Sequence, residues 1–304
     1  MANRAESLTS GNVGALSTQK QGRGGRIPWT MIIMYLILLI GVVIAILPFF
    51  WMVSASLMTY GETATRQWWP SVPQWGNYAE AWREAEFSKY FMNSVIITAV
   101  TLTGQLITSI LAGYAFARIK FIGRDIIFAL LLSTMMIPAM VTMIPNFQLI
   151  ANKIPFIPLP GGSWLNTLQG ITVPYMVSVF SIFLLRQFFT QIPWELWDAA
   201  RMDGAGHLRF LIRVVLPISK APIATVAIFG FISAWNDFLW PLLVTTTDTW
   251  RPLMVGLWTL QSEAGPETQL IMAASVITII PILILYFMTQ KQFTEGIATS
   301  GLKG

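Results

Sequence analysis

The sequence of 304 residues has no cysteine and one histidine, His207, which excludes disulfides, catalytic thiolates and metal sites built from cysteine or histidine clusters. Charged residues are also scarce, at 11% of the chain, whereas a soluble domain carries about 25%. Hydrophobic residues make up 55%. This composition predicts an all-α membrane protein in contact with the lipid bilayer, without a metal site.

The phosphate-binding pattern GxxxxGK[ST] is absent, and no glycine is followed by lysine anywhere in the chain. The chain therefore has no predicted cradle for ATP phosphates, and any ATP-driven step must take place on another chain. The run GAGHLR, which begins at Gly204, starts like a dinucleotide-binding fingerprint. However, Arg209 replaces its last glycine and no strand is predicted before it. Neither an enzyme nor a cofactor-binding chain is predicted.

Six apolar runs are long enough to cross a bilayer of about 30 Å. The first run is longer than the apolar core of a signal peptide, which favours a span over a cleaved leader. Pro138 and Pro145 predict a kink or break in the third run. In the second apolar run, small residues four apart, such as Gly113 and Ala117, predict a face for close contact with another helix. The six predicted spans are 31–50, 91–116, 126–150, 168–185, 223–244 and 270–288.

The basic residues are distributed unevenly between the two predicted sides of the membrane. Fourteen of the 19 Lys and Arg residues lie in the tail 1–27, the turn near residue 120, the loop 186–220 and the tail 290–304, against five on the other side. Cytoplasmic loops carry this excess, so both termini are predicted to be cytoplasmic. The same distribution explains the net charge of +5 without nucleic acid as a partner.

A charged stretch from Pro193 to Pro217 separates two of the apolar runs. Acidic residues near its start suit the positive end of a helix dipole. Gly204 and Gly206 predict the end of this helix and a sharp turn, with His207 at the exposed end of the loop. An apolar stripe at Leu208, Leu211, Ile212 and Val215 then predicts a second helix that ends at Pro217.

This stretch resembles the EAA loop of bacterial ABC importer permeases. Asp198-Ala199-Ala200 is followed after three residues by Gly204, and after nine more by Val214-Val215-Leu216-Pro217. Asp198 and Val214 depart conservatively from the family's Glu and Ile. The resemblance implies a six-span type I importer permease whose loop 190–217 docks on an ATPase. The docking residues it implies are Glu195, Asp198, Ala199, Ala200, Arg201, Asp203, Gly204 and Gly206.

The C-terminal sequence QKQFTEGIATSGLKG resembles the ending of carbohydrate-importer permeases of the maltose type. The resemblance implies contact with the ATPase pair by Gly301, Leu302, Lys303 and Gly304. The expected organisation is a disordered cytoplasmic tail at 1–27, a six-span permease domain at 28–289 and a polar cytoplasmic tail at 290–304.

The implied partners are a second permease subunit, two ATPase subunits that hold ATP and Mg, and an extracytoplasmic solute-binding protein. The implied location is the cytoplasmic membrane of a bacterium or archaeon, and the implied solute is a sugar or oligosaccharide. The alternative is an ion-coupled secondary transporter that works without an ATPase. That class needs a set of intramembrane charges and usually repeated halves, and neither is evident in the sequence.

Four residues are candidates for the translocation path: Tyr175, Trp235, Asn236 and Asp237. Asp237 is the only acid inside a predicted span, and such residues are usually functional. It is either a proton-coupling carboxylate or a hydrogen-bonded, hydrated group near the outer end of the span. The second interpretation is favoured because a proton relay needs partners. The aromatic residues either stack on sugar rings or pack against neighbouring helices.

Overall fold

The computed structural model describes residues 29–84, 86–154, 160, 162–263 and 267–301, and in this part of the chain every regular element is helical. Two 3-10 helices, Val173–Tyr175 and Asp248–Trp250, and a π-helix, Leu211–Val215, accompany the α-helices. The predicted tail 1–27 lies outside the described residues. The α-helices are α1 (Trp29–Ser56), α2 (Tyr60–Ala64), α3 (Gly76–Glu84), α4 (Phe87–Arg118), α5 (Arg124–Thr134), α6 (Ala139–Ile150), α7 (Leu168–Thr172), α8 (Val179–Gln191), α9 (Trp194–Met202), α10 (His207–Phe210), α11 (Leu216–Ile218), α12 (Lys220–Trp235), α13 (Leu239–Val244), α14 (Leu253–Glu263) and α15 (Thr268–Gly301).

Three single helical segments are long and apolar enough to cross a membrane: α1, α4 and the Thr268–Gln290 part of α15. Three further candidates are pairs of helical segments with a bend between them. The bend is 100° between α5 and α6, 41° between Leu168–Tyr175 and α8, and 84° between His207–Ile218 and α12. The described chain therefore contains up to six spans if each bent pair counts as one. Residues from Phe50 onward form one compact unit, and every contact reported below lies within it.

Prolines lie next to two of these bends. Pro138 stands immediately before α6 with a ψ of 135°, which takes the backbone out of the helical conformation, as the sequence predicted. Pro145 is accommodated inside α6. The helical segment His207–Ile218 ends one residue after Pro217, and the 84° bend follows, so the predicted end at Pro217 is confirmed to within one residue.

Most of the predicted polar tail at 290–304 is helical. The backbone of α15 continues as a helix through Gly301, and residues 302–304 lie outside the described part of the chain. Residues 290–301 contain no proline, and extending an existing helix avoids the unfavourable step of nucleating a new one.

The core of the molecule is built on α4, which packs most extensively against α8 and next against α12. The predicted small-residue face of α4 makes the first of these contacts. A Cβ atom added to Gly113 would lie 3.1 Å from Cβ of Leu185 and 3.3 Å from the backbone nitrogen of Arg186. Only glycine therefore allows α4 and α8 to approach this closely without displacing a neighbour.

The start of α4 is fastened to a segment far along the chain. The Asn93 side-chain amide donates hydrogen bonds to the backbone carbonyls of Thr249 (3.0 Å) and Arg251 (2.9 Å). The hydroxyl of Ser94 accepts one from the backbone N–H of Leu253 (2.7 Å). Both side chains are buried, and these bonds satisfy polar groups that would otherwise be costly to bury.

Candidate coupling loop and transport cavity

Helix α9 ends in a Schellman motif centred on Gly204. The backbone N–H of Gly204 donates to the carbonyl of Arg201 (3.0 Å), and that of Ala205 donates to the carbonyl of Ala200 (2.9 Å). Gly204 has a φ of +73°, a conformation that side-chain-bearing residues adopt only with strain. The predicted turn at this glycine is confirmed. It directs the chain away from α9 into α10.

Helix α9 has one exposed face and one face against the helix bundle. Trp197 and Ala200 are half-buried and pack on a core cluster that includes Phe189, Phe210 and Val215. The other predicted docking residues are all exposed, and the structure places them together along α9 and the turn that follows it: Glu195, Asp198, Ala199, Arg201, Asp203, Gly204 and Gly206. The segment therefore presents charged and small residues outward while its apolar side holds it to the bundle.

Aromatic rings join this loop to α4. The indole ring of Trp197 stacks on the imidazole of His207, with centroids 4.4 Å apart and planes within 9°. The Tyr114 hydroxyl lies 2.9 Å from Nδ1 of His207, within hydrogen-bond distance. His207 is exposed, as the sequence predicted, but its ring is fixed on two sides. The sequence analysis missed Tyr114 and Trp197, whose pairing depends on how α4 and α9 pack.

Arg118, the last residue of α4, contacts the beginning of the loop 190–217. Its guanidinium donates a hydrogen bond to the backbone carbonyl of Ile192 and lies 4.7 Å from the centre of the Trp194 ring. The residue is 4% exposed, and its Nε and Nη1 atoms have no hydrogen-bond partner within the described residues. Arg118 therefore ties the beginning of α9 directly to the end of α4.

The segment after the turn at Gly204 buries only part of its predicted apolar stripe. Leu211 and Val215 are buried, whereas Leu208 and Ile212 are exposed. The i, i+3, i+4, i+7 spacing assumes a continuous α-helix, but the π-helix Leu211–Val215 interrupts it and shifts the positions that face the core. Phe210 is buried in place of Leu208.

A cavity of about 610 Å³ opens between α4, α6, α8, α12 and α13. Its wall is mostly apolar, with hydroxyl and amide groups from Thr101, Gln105, Ser178, Ser181 and Ser233. A mainly apolar wall with a few convergent polar groups is typical of small-molecule sites, whose volumes are about 300–1,000 Å³.

The four candidate path residues do not lie together. Tyr175 and Asp237 line the cavity. Trp235 is 2% exposed and donates its indole N–H to the carbonyl of Thr278 (3.2 Å), so it is a packing residue on another side of α12. Asn236 is exposed and bonds back to the carbonyl of Ile232 (2.9 Å). Two of the four therefore face the space through which a solute could pass.

The predicted ATPase contact of the C-terminal tail lies almost entirely outside the described residues. Gly301 is the last residue of α15, and Leu302, Lys303 and Gly304 follow the described part of the chain.

Apolar helices long enough to span a membrane, a cavity between them and an exposed loop tied to the bundle define a component of a membrane transport system. The comparison with known families agrees. The chain belongs to the family described as binding-protein-dependent transport system inner membrane components, whose profile matches residues 105–298. This match includes the loop around Gly204 and confirms the resemblance drawn from the sequence.

Relatives match most of the chain. It is 31% identical over 276 residues to the sn-glycerol-3-phosphate transport system permease protein UgpE of Yersinia pestis, covering 88% of this chain and 95% of that protein. It is 34% identical over 252 residues to the arabinooligosaccharides transport system permease protein AraQ of Halalkalibacterium halodurans, covering 83% and 86%. The chain is thus a permease subunit of a binding-protein-dependent importer, which is not itself a catalytic subunit.

A solved structure shares the fold. A chain in the crystal structure of a bacterial ABC transporter involved in the import of the acidic polysaccharide alginate superposes with a TM-score of 0.75 and 24% sequence identity. The superposition covers 86% of this chain and 96% of that one. The arrangement of helices is therefore that of an importer permease.

Proposed function

We propose that this chain is one of two permease subunits of an ATP-driven importer for a sugar or oligosaccharide. Its partners are a second permease, two ATPase subunits that hold ATP and Mg, and an extracytoplasmic solute-binding protein. The named substrate of AraQ and the resemblance to carbohydrate permeases support the solute class. A chain in the crystal structure of the alginate transporter with its substrate-bound periplasmic protein, 14% identical and with a TM-score of 0.60, shares only the fold.

The observation that carries the mechanism is the attachment of the exposed α9 segment to α4. The segment from Glu195 to Gly206 docks in a cleft on the ATPase, and the C-terminal residues Gly301 to Gly304 contact the ATPase pair. Closure of the ATPase pair moves α9. Because Arg118 and Tyr114 fasten α9 and its turn to α4, the movement reaches the helices around the cavity as a rigid-body displacement.

Reconstitution tests this function against the alternative of an ion-coupled transporter. The chain is purified with its partner permease, ATPase and binding protein and placed in vesicles. Uptake of labelled arabinotriose, maltotriose or glycerol-3-phosphate should require ATP and both permeases. Uptake by this chain alone, driven by a proton or sodium gradient and indifferent to ATP, would instead establish the secondary transporter.

We further propose that the chain lies in the cytoplasmic membrane of a bacterium or archaeon with both termini in the cytoplasm. The excess of Lys and Arg on one predicted side supports this orientation. A phosphatase or fluorescent reporter fused after Gly304 should show a cytoplasmic location, and one inserted near Gly161 an external location. The opposite result at either position would contradict the six-span orientation.

A further inference from the structure

We propose that the cavity selects neutral, polyhydroxylated solutes over anionic ones, and that Asp237 sets this preference. The inference rests on the proposed import function and concerns the solute at the cavity of this subunit. The inference distinguishes between two kinds of solute that appear in the names of the relatives. UgpE is named for a phosphorylated solute and AraQ for a neutral oligosaccharide.

The charge of the cavity wall is the first observation. Asp237 is the one charged side chain among the lining residues described, and neither lysine nor arginine is among them. Arg251 precedes the lining residue Pro252, but its guanidinium is paired with Asp248. A phosphate or carboxylate in this cavity would therefore meet a like charge and no cation. Such repulsion is stronger beside an apolar wall than in water.

The neutral polar groups are the second observation. The amide nitrogen of Gln105 donates to the Ser181 hydroxyl (2.9 Å), which donates to the Ser178 hydroxyl (3.0 Å). This chain of groups crosses from α4 to α8 along the cavity wall. Hydroxyl and amide groups both donate and accept, as sugar hydroxyls do, so they bind a neutral polyol without requiring a charge.

The position of the carboxylate is the third observation. Asp237 follows the end of α12 and lies beside the backbone N–H groups of Phe238 and Trp240. Trp240 is itself fixed by its indole N–H, which donates to the carbonyl of Gly170 (3.1 Å), and its ring packs edge-on against Tyr175. Asp237 is therefore an acceptor on a cavity wall that also carries aromatic rings, an arrangement that suits a sugar hydroxyl with an adjoining apolar ring face.

Direct binding to the purified complex of both permeases and the ATPase tests the inference, because it bypasses the selectivity of the binding protein. Labelled arabinotriose and maltotriose serve as neutral probes and glycerol-3-phosphate as the anionic probe, by equilibrium dialysis at pH 8. The wild-type complex should bind at least one neutral probe about tenfold or more tightly than glycerol-3-phosphate. Asp237→Asn should weaken neutral binding about tenfold, as expected for losing a charged hydrogen-bond acceptor, and improve glycerol-3-phosphate binding.

Two further variants make the result specific. Ser233→Lys keeps Asp237 but adds a cation at an exposed position of the lining, and it should strengthen binding of glycerol-3-phosphate even if Asp237→Asn fails to assemble. Glu80→Gln removes an exposed carboxylate of α3, away from the cavity lining, and should change neither affinity.

Tighter wild-type binding of glycerol-3-phosphate than of the neutral probes would overturn the inference. An unchanged ratio of affinities in both cavity variants would also overturn it. ATP-driven uptake of the anionic probe alone would refute this inference and the proposed sugar class, while leaving ATP-driven import by this permease intact. Failure of every solute to enter in an ATP-dependent manner would refute the proposed function itself.

Discussion

Gly204→Val is expected to abolish ATP-driven uptake while the permease still inserts into the membrane and folds. Gly204 has a φ of +73°, and within the described residues no heavy atom outside its immediate neighbours lies within 4 Å of an added Cβ. The cost within this chain is therefore backbone strain of about 1–2 kcal/mol rather than crowding. The strain acts on the exposed turn that carries the proposed docking surface. The measurements are uptake into vesicles and the amount of ATPase retained on the purified permease.

A graded series separates strain from crowding against the ATPase. Alanine and valine at position 204 suffer similar strain, so similar losses would indicate that the backbone conformation is decisive. A much milder loss for alanine would indicate a cleft wall that a larger side chain strikes. Asparagine, which tolerates positive φ, should retain most of the ATPase.

Gly162→Val is the matched control for this series. Gly162 also has a positive φ, of +89°, and no heavy atom of the described residues other than its chain neighbours lies within 4 Å of an added Cβ, but it lies in the loop predicted to be external. Valine there should strain the backbone to a similar extent without reducing ATPase retention. Normal uptake by the Gly204→Val variant would show that this loop is not the coupling element.

Arg118→Leu is expected to lower the ratio of solute imported to ATP hydrolysed by tenfold or more, with the ATPase still bound. The substitution removes the hydrogen bond to Ile192 and the contact with the Trp194 ring, which together fix the start of α9 to α4. It also removes a buried charge with two unpartnered nitrogens, so the loss of folding stability should be small. Hydrolysis and uptake are measured on the same vesicles, with thermal unfolding of the purified complex alongside.

Two comparisons test whether Arg118 positions the loop. Arg118→Lys should restore little coupling, because an ammonium group lacks the planar fork that reaches a carbonyl while lying over a ring. Lys120→Leu removes an exposed cation two residues away and should leave the ratio unchanged. An unaltered ratio in Arg118→Leu, with normal ATPase binding, would contradict transmission through this residue.

The turn at Gly204 and the break at Pro138 were predictable because each depends on local backbone chemistry. A glycine directly after a helix-forming run indicates that the helix ends there at a residue with positive φ, and a proline such as Pro138 disfavours the helical conformation of the residue before it. The π-helix Leu211–Val215 left no such signal. Its register depends on how Phe210 and Val215 fit among α4, α8 and α12, which the linear sequence does not specify.

The cavity illustrates the same limit at the level of side chains. Trp235 and Asp237 are two positions apart and seemed to belong to one site, yet one packs in the core and the other lines the cavity. Residues two apart on a helix already point about 200° apart. In addition, α12 ends at Trp235, so Asp237 lies beyond the helix. Gln105, Ser178 and Ser181 were missed because uncharged polar residues in an apolar sequence are common and only their convergence is informative.

The bonds that Asn93 and Ser94 make to residues 249–253 determine when the molecule can be completed during biosynthesis. Their partners lie 156 to 159 residues further along the chain. At about 5–20 residues per second, the ribosome takes roughly 8–30 s to supply them. During that interval the amide and hydroxyl lack the partners that satisfy them in the finished bundle. The start of α4 therefore cannot reach its final packing until residues 249–253 have been synthesised.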